Sequence, residues 1–263
     1  MQIPVYSVKG IEKEKITVKK AFSSPVRPDI IKRAVVTEQA AKRQRYGTDP
    51  IAGMRSSAYY RGERGVKNSM MNREMARMAR ITGAGYLNFT ARNVPQAIKG
   101  RATHPPKAEK IFRRKINKKE RMFALFSAIA ASSKKESVSA RGHRIETVKH
   151  LPLVVEDSFE SFRKNREVTD TLKALGLQAE LDRTDERKVR AGHGKMRGRR
   201  YRCKTGPLII AKNDNGIVRA ARNIPGISVS LFRDVNVEML APGTHPGRLC
   251  VWTKSALEEA DKL

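Results

Sequence analysis

Cysteine, aromatic residues and long apolar runs are all scarce in this chain of 263 residues. Two cysteines, Cys203 and Cys250, cannot build a disulfide framework or a four-thiolate zinc site. Aromatic residues make up 6% of the chain and apolar residues 39%, so part of it is expected to lie outside any packed core. No stretch approaches the roughly 18 consecutive apolar residues of a membrane span. The opening MQIPVYSVKGIEKEK has no apolar run of the length a secretion signal needs. Acidic residues are also few, 26 against 55 Lys and Arg, for a net charge of +29. That excess argues against a neutral metabolic enzyme. It points to an intracellular, soluble protein that binds a polyanion.

The charge is unevenly placed. Residues 42–115 carry net +14 and residues 187–204 net +9, whereas 151–186 carry net −4. From 42 to 110 the only Val, Ile, Leu, Phe or Trp residues are Ile51, Val66, Ile81, Leu87, Phe89, Val94 and Ile98. Burial of so little apolar surface cannot offset the entropy of ordering the segment, so it is expected to be ordered by a partner. Arginines alternate with tyrosines there, as in Tyr59-Tyr60-Arg61, a pattern suited to unpaired RNA bases and phosphates. Residues 70–80 (MMNREMARMAR) read as a short amphipathic helix. Met71, Met75 and Met78 would share one face, with Arg73, Arg77 and Arg80 on another.

The remainder reads as an α/β body. Four apolar runs are predicted to be buried strands: 151–155 (LPLVV), 207–211 (PLIIA), 227–232 (ISVSLF) and 248–252 (RLCVW). Helical patterns lie between them at 169–175, 217–223 and 235–240. Such alternation predicts a three-layer α/β/α domain with a mainly parallel sheet of about four strands. Two stronger helices precede it. One covers 29–45, with Ile30, Ile31, Ala34, Val35 and Ala41 inward. The other covers 117–132, opened by Asn117 and Glu120 at capping-box spacing, with Met122, Leu125, Phe126 and Ile129 inward. Ser255 and Glu258 repeat that spacing before a final helix. The body is thus expected to comprise about 1–45 and 111–263. Residues 46–110 then form a long extended internal loop between the two strong helices.

Signals for catalysis are weak. GHGK at 192–195 lacks the earlier glycine, the following Ser or Thr and the preceding strand of a phosphate loop; a basic, glycine-hinged loop on RNA phosphates fits it better. His104, His143, His150, His193 and His245 form no metal-binding spacing. An RNA-processing enzyme would need a carboxylate cluster at strand ends, for which Glu156, Asp157, Asp214 and Asn215 are the candidates. A free nucleoid protein is a third reading, and it predicts little preference for RNA over duplex DNA.

Several stretches are recognisable. GTDPIAGMRSSA (47–58), VPQAIKGRATHPPKAEK (94–110), INKKER (116–121), RAGHGKMRGRRYRCKTGPLIIA (190–211), ARNIPG (221–226) and DVNVEMLAPGTHPGRLCVWTKSAL (234–257) strongly resemble the archaeal form of the large-subunit ribosomal protein L-four family. They run in order over almost the whole chain. The resemblance implies a non-enzymatic, cytoplasmic constituent of the large subunit. Its partners would be large-subunit ribosomal RNA, neighbouring ribosomal proteins and the nascent polypeptide at the exit tunnel, with no membrane. It would need no cofactor, Mg²⁺ entering only through bound rRNA. The expected rRNA anchors are Arg55, Arg61, Arg64, Lys67, Arg73, Arg77, Arg80, Arg92, Lys99, Arg101, Arg113 and Arg114. A second set is Lys195, Arg197, Arg199, Arg200 and Arg202. Tyr59, Tyr60, Tyr86 and Phe89 are candidates for base stacking or the tunnel tip.

Overall fold

Successive side chains of a strand point to opposite faces, so a strand that is apolar throughout needs a helix on each side. That demand is met in the computed structural model, which describes residues 2–18, 20, 22–83 and 85–262. The chain opens with β1 (Gln2–Tyr6), β2 (Glu12–Thr17) and α1 (Pro28–Lys42). After residue 113 it continues through α2 (Lys118–Ser133), α3 (Lys135–Ala140), β3 (Leu153–Val155), α4 (Asn165–Ala174) and α5 (Gln178–Asp185). A hairpin of β4 (Lys188–Val189) and β5 (Tyr201–Arg202) follows. Then come β6 (Leu208–Ala211), α6 (Ile217–Ala221), β7 (Ser228–Leu231), α7 (Val237–Leu240), β8 (Cys250–Thr253) and α8 (Lys254–Lys262).

The main sheet has the order β2-β1-β3-β8-β6-β7, parallel throughout except for the antiparallel β1–β2 pair. Val154, Leu208, Ile210, Cys250 and Trp252 face one layer, packed with α1, α2, α7 and α8. Leu153, Val155, Ile209, Ala211 and Val251 face the other, packed with α3, α4, α5 and α6. The architecture is the expected three-layer α/β/α domain, with six strands where four were legible. The two added strands are N-terminal. β1 (QIPVY) is short and contains Pro4, and β2 (EKEKIT) is almost wholly exposed and carries four charges. An edge strand of this kind gives no apolar signal, and its charges deter pairing with a second chain.

The helices differ from expectation in instructive ways. α2 buries Ala124, Ser127, Ala128 and Ala131 together with Ile129, while Met122 stays exposed. Its inward stripe is made of small side chains, which let a neighbouring segment approach closely. Ser127 Oγ accepts from the Arg27 N–H at 2.7 Å and donates to the Pro25 carbonyl at 3.0 Å. Asn117 makes no side-chain cap, and Glu120 instead pairs with Arg33 at 2.5 Å. Ser255 lies inside α8 rather than before it, and its N–H is capped from β3's far end by Asp157 at 2.9 Å. α1 stops at Lys42, so Ala41 is exposed rather than inward.

The chain divides into two compact units, Met1–Lys42 with Arg114–Leu263, and Arg43–Arg113. The first holds the sheet. In the second, the expected helix over 70–80 is absent. Asn72 and Glu74 sit at φ 57° and 50°, which an α-helix cannot contain. A helix so short is marginal, and pairing with distant stretches of the same unit satisfies the backbone instead. Met70 N–H donates to the Arg61 carbonyl, and Arg80 bridges both Tyr59 and Ala91.

Ile209 is fully buried at the centre of the sheet. Ile209→Ala is expected to destabilise the first unit by about 2–5 kcal/mol. Urea unfolding followed by the fluorescence of Trp252, the chain's only tryptophan, measures this. An unchanged midpoint would contradict the two-sided burial described above.

Candidate nucleic-acid interface

Within Arg43–Arg113 the chain folds back on itself. Thr48 N–H donates to the Pro106 carbonyl at 3.0 Å, and Gly47 lies so close to Ala108 that a Cβ would meet its backbone nitrogen at 2.6 Å. Further out, Arg80 N–H donates to Tyr59 O and Arg92 N–H to Ala79 O. Among its described apolar residues, only Ala58 and Met70 are buried. Backbone pairing and arginine contacts therefore hold this unit, in place of an apolar core.

The arginines fall into two groups. Some are spent on the segment itself. Arg80 donates to the carbonyls of Phe89 (2.7 Å) and Ala76 (3.0 Å), Arg92 to that of Ile98 (2.7 Å), and Arg61 to that of Lys67 (3.0 Å). Arg55 pairs with Asp49 at 2.6 Å. Others stand outward: Arg64, Lys67, Arg73, Arg77, Lys99, Arg101 and Arg113 are exposed, as is Arg114 at the start of the returning chain. Of the arginines in these two groups, Arg61 lies over Tyr59 at 4.2 Å and Arg73 over Phe89 at 4.4 Å. Stacking fixes the plane of a guanidinium and leaves its N–H edge available. Tyr59 and Tyr60 are exposed, Phe89 is half-buried by Arg73, and Tyr86 is 92% exposed.

One cluster escaped the sequence reading. Tyr46 and Phe112, 66 residues apart in sequence, stack at 5.6 Å between centroids, with Arg43 over Phe112 at 4.3 Å and Lys110 at 5.6 Å. The signal available was the placement of an aromatic beside basic residues near each end of the segment. Nothing in either stretch alone says that they meet.

The second basic set forms a small hairpin. β4 and β5 pair antiparallel, Lys188 with Arg202 and Val189 with Tyr201. GHGK lies in the turn between them, where Gly192 and Gly198 take φ of 75° and 78°. A hairpin tip cannot serve as the strand-to-helix turn that a nucleotide phosphate loop requires. Instead it exposes Lys195, Arg197, Arg199, Arg200 and Arg202 together.

A buried network anchors the base of this hairpin. Glu180 Oε1 lies 2.6 Å from both His143 Nδ1 and Arg183 Nη2, and Oε2 accepts from Arg183 Nε (2.8 Å) and the Arg144 N–H (3.0 Å). His143 Nε2 accepts from the Leu249 N–H at 3.3 Å, so Nδ1 carries the proton given to Glu180. Arg183 also donates to the Thr205 carbonyl at 2.8 Å, just beyond β5. Burial raises the Glu180 carboxyl, but the bonds from Arg183, His143 and Arg144 outweigh it and hold it at about 2. Residues 151–186 carry nine carboxylates, of which Glu160 and Glu180 are the buried ones.

The carboxylates a nuclease would need are each engaged elsewhere. Glu156 accepts from the Val8 N–H and pairs with Lys13. Asp157 caps α8 and Asp214 caps α6 through the N–H groups of Gly216 and Val218. Among the described residues, no group of three or more His, Cys, Asp or Glu is placed to hold a metal ion, and no helix is long and apolar enough to cross a membrane.

The sequence model described as the ribosomal protein L4/L1 family matches residues 16–263. The chain is 43% identical over 263 residues to a protein of Methanosphaera stadtmanae named large ribosomal subunit protein uL4, spanning all of this chain and 97% of that one. The protein of the same name from Halobacterium salinarum is 42% identical over 260 residues, 98% of each. That from Methanococcus aeolicus is 43% identical over 263 residues, 100% of this chain and 99% of the other.

Because Glu180 is held below its usual value of 4.5, its contribution is present above that pH and is lost as pH falls towards about 2. The contribution is on the order of 3 kcal/mol. Urea unfolding at a series of pH values is expected to show this acid loss in the parent. Glu180→Gln should be less stable at neutral pH and flatter below pH 4.5. An equal acid slope in both proteins would assign the loss to other carboxylates.

Proposed function

The chain belongs to the ribosomal protein L4/L1 family, and we propose that its two basic surfaces grip large-subunit ribosomal RNA in different ways. As a member of that family it is a structural constituent of the large ribosomal subunit and not an enzyme. Glu156, Asp157 and Asp214 are each occupied by backbone N–H groups or a lysine, which gives the nuclease alternative no support. The observation that carries the proposal is the concentration of net +14 on residues 42–115 in a unit with almost no apolar core. Neutralising that charge requires a polyanion that runs along the unit, because a compact acidic ligand would reach only part of it.

In this reading Arg55, Arg61, Arg80 and Arg92 shape the segment, while Arg64, Lys67, Arg73, Arg77, Lys99, Arg101, Arg113 and Arg114 meet phosphates. Exposed Tyr59, Tyr60 and Tyr86 supply π-faces for unpaired bases. Lys195, Arg197, Arg199, Arg200 and Arg202 hold a second stretch of RNA at the hairpin. The segment reaches through RNA towards the exit tunnel, where its outermost residues meet the nascent polypeptide. Neighbouring ribosomal proteins bound to the same RNA complete the surroundings, in the cytoplasm and from early in subunit assembly. The chain itself uses no cofactor, and Mg²⁺ accompanies the rRNA.

Salt dependence tests the phosphate role directly. Changing Lys195, Arg197, Arg199 and Arg200 together to Gln is expected to lower the slope of log affinity against log salt by about 3, at roughly 0.7–0.9 per lost phosphate contact. The measurement is titration of the full chain with large-subunit rRNA fragments at several salt concentrations. An unchanged slope would remove the hairpin from the interface. In a lysate, the parent chain is expected to sediment stoichiometrically with the large subunit and to resist moderate salt. Recovery mainly in the light fractions would overturn the assignment of the basic surfaces to rRNA.

A further inference from the structure

The base of the β4–β5 hairpin holds more positive charge than its carboxylates balance. A cavity of about 500 Å³ opens there, lined by Arg141, Arg183, Lys188, Arg202 and Lys204, with Cys203 between the last two cations and Thr205 just after them. Two carboxylates act on it. Glu180 neutralises Arg183, and Glu186 pairs with Lys204 at 2.5 Å while its charge also feels Lys188. Arg141 and Arg202 have no carboxylate within salt-bridge distance among the described residues. Arg141 is half-buried and donates to the backbone carbonyls of Pro242 (2.8 Å) and His245.

Behind this wall lies a third uncompensated guanidinium. Arg248 is buried and donates to the carbonyls of Gly206 and Met239, both at 2.9 Å, and to Ser228 Oγ at 2.8 Å. All of these acceptors are neutral. Gly206 follows Thr205 of the cavity lining, so Arg248 sits one residue behind the cavity wall. Burial lowers the Arg248 guanidinium to about 10, and the Arg141 charge pushes it the same way. Burial also lowers Arg141, with the Arg183 charge adding to it. A buried cation held only by neutral dipoles is costly, and an anion in reach of it recovers part of that cost.

We propose that this cavity is a seat for one phosphate group, gripped by Arg141, Lys188 and Arg202 and backed by the field of Arg248. The proposal deepens the hairpin part of the RNA reading, on which the phosphodiester form of the ligand rests. The shared chemistry is a tetrahedral oxyanion, supplied either by an RNA backbone or by free phosphate. Arginine forks and a lysine point charge suit such a group, and the three come from separate parts of the chain: the end of α3, β4 and β5. Filling the seat would tie the hairpin to the body through the ligand.

Cys203 provides a local reporter. It is exposed on the cavity wall, while Cys250 is fully buried with its thiol pushed up to about 12, so alkylation under native conditions reads Cys203. The experiment follows alkylation of the full chain by neutral iodoacetamide, with added inorganic phosphate, with oligouridylate, or with chloride at matched ionic strength. A seated anion covers the thiol and opposes its ionisation, so phosphate is expected to slow the reaction saturably by about fivefold over chloride. Lys188→Gln with Arg202→Gln, both at exposed positions, should abolish that protection while leaving the circular dichroism melt unchanged; Arg141→Lys provides a second, milder variant. Protection by phosphate and by oligouridylate supports a phosphodiester seat. Protection by phosphate alone supports a seat for the free ion, and the salt-slope measurement then judges the RNA reading separately. Equal rates in phosphate and chloride, or protection that survives in the double variant, would overturn the proposal.

Discussion

Burial of β3, β8 and β6 on both faces is the constraint from which the rest of this structure follows. Their residues are almost all fully inaccessible, and each alternates between two helix layers. Every helix facing them must therefore offer an apolar or small-residue stripe, as α2 does with Ala124, Ala128 and Ala131. Such a body tolerates charge only at its margins, at edge strands such as β2, at helix ends and in connections. A chain with net +29 that folds this way must gather its charge outside the layers. Arg43–Arg113 and the β4–β5 hairpin are where it gathers.

The few ionisable groups that do enter the body obey stricter rules. Glu180, buried beside His143, is met by Arg183 and the Arg144 N–H, so all of its oxygen capacity is used. Glu160 accepts from Thr253 at 2.7 Å and from the N–H of Lys212 at 2.8 Å, tying β8 to the end of β6. Arg248 differs in having only neutral acceptors. The contrast between a fully paired carboxylate and an unbalanced guanidinium marks off structural support from binding potential. Buried ion pairs lock an arrangement in place, whereas a partly buried, unbalanced cation still attracts an anion.

Arg43–Arg113 shows how a segment takes shape with little apolar content. Its arginines do two kinds of work. Arg80 and Arg92 satisfy the segment's own carbonyls, replacing the hydrogen bonds that regular structure would supply. The outward guanidiniums are positioned by aromatic faces, as Arg73 is by Phe89. This division explains why the methionine-rich stretch over 70–80 is not a helix. With positive φ at Asn72 and Glu74, the chain turns, and Arg80 reaches two neighbouring stretches instead of one helical face.

By itself the sequence determined the segregation of charge and the four strands β3, β6, β7 and β8 of a sheet covered on both faces. These properties depend on composition, on local periodicity and on runs of a few residues, all of which can be read along the chain. Tertiary structure alone decided the strands β1, whose short apolar run is interrupted by Pro4, and β2, whose exposed charges carry no apolar signature until a sheet edge accepts it. It alone decided that Glu120 pairs with Arg33 and that Asp157 caps α8. The stacking of Tyr46 on Phe112, and the convergence of Arg141, Lys188 and Arg202 on one cavity, were decided in the same way. The physical reason is common to all of these. A hydrogen bond, a stack or a shared electrostatic field acts over a few ångströms, and residues tens of positions apart come within that range only when the chain folds.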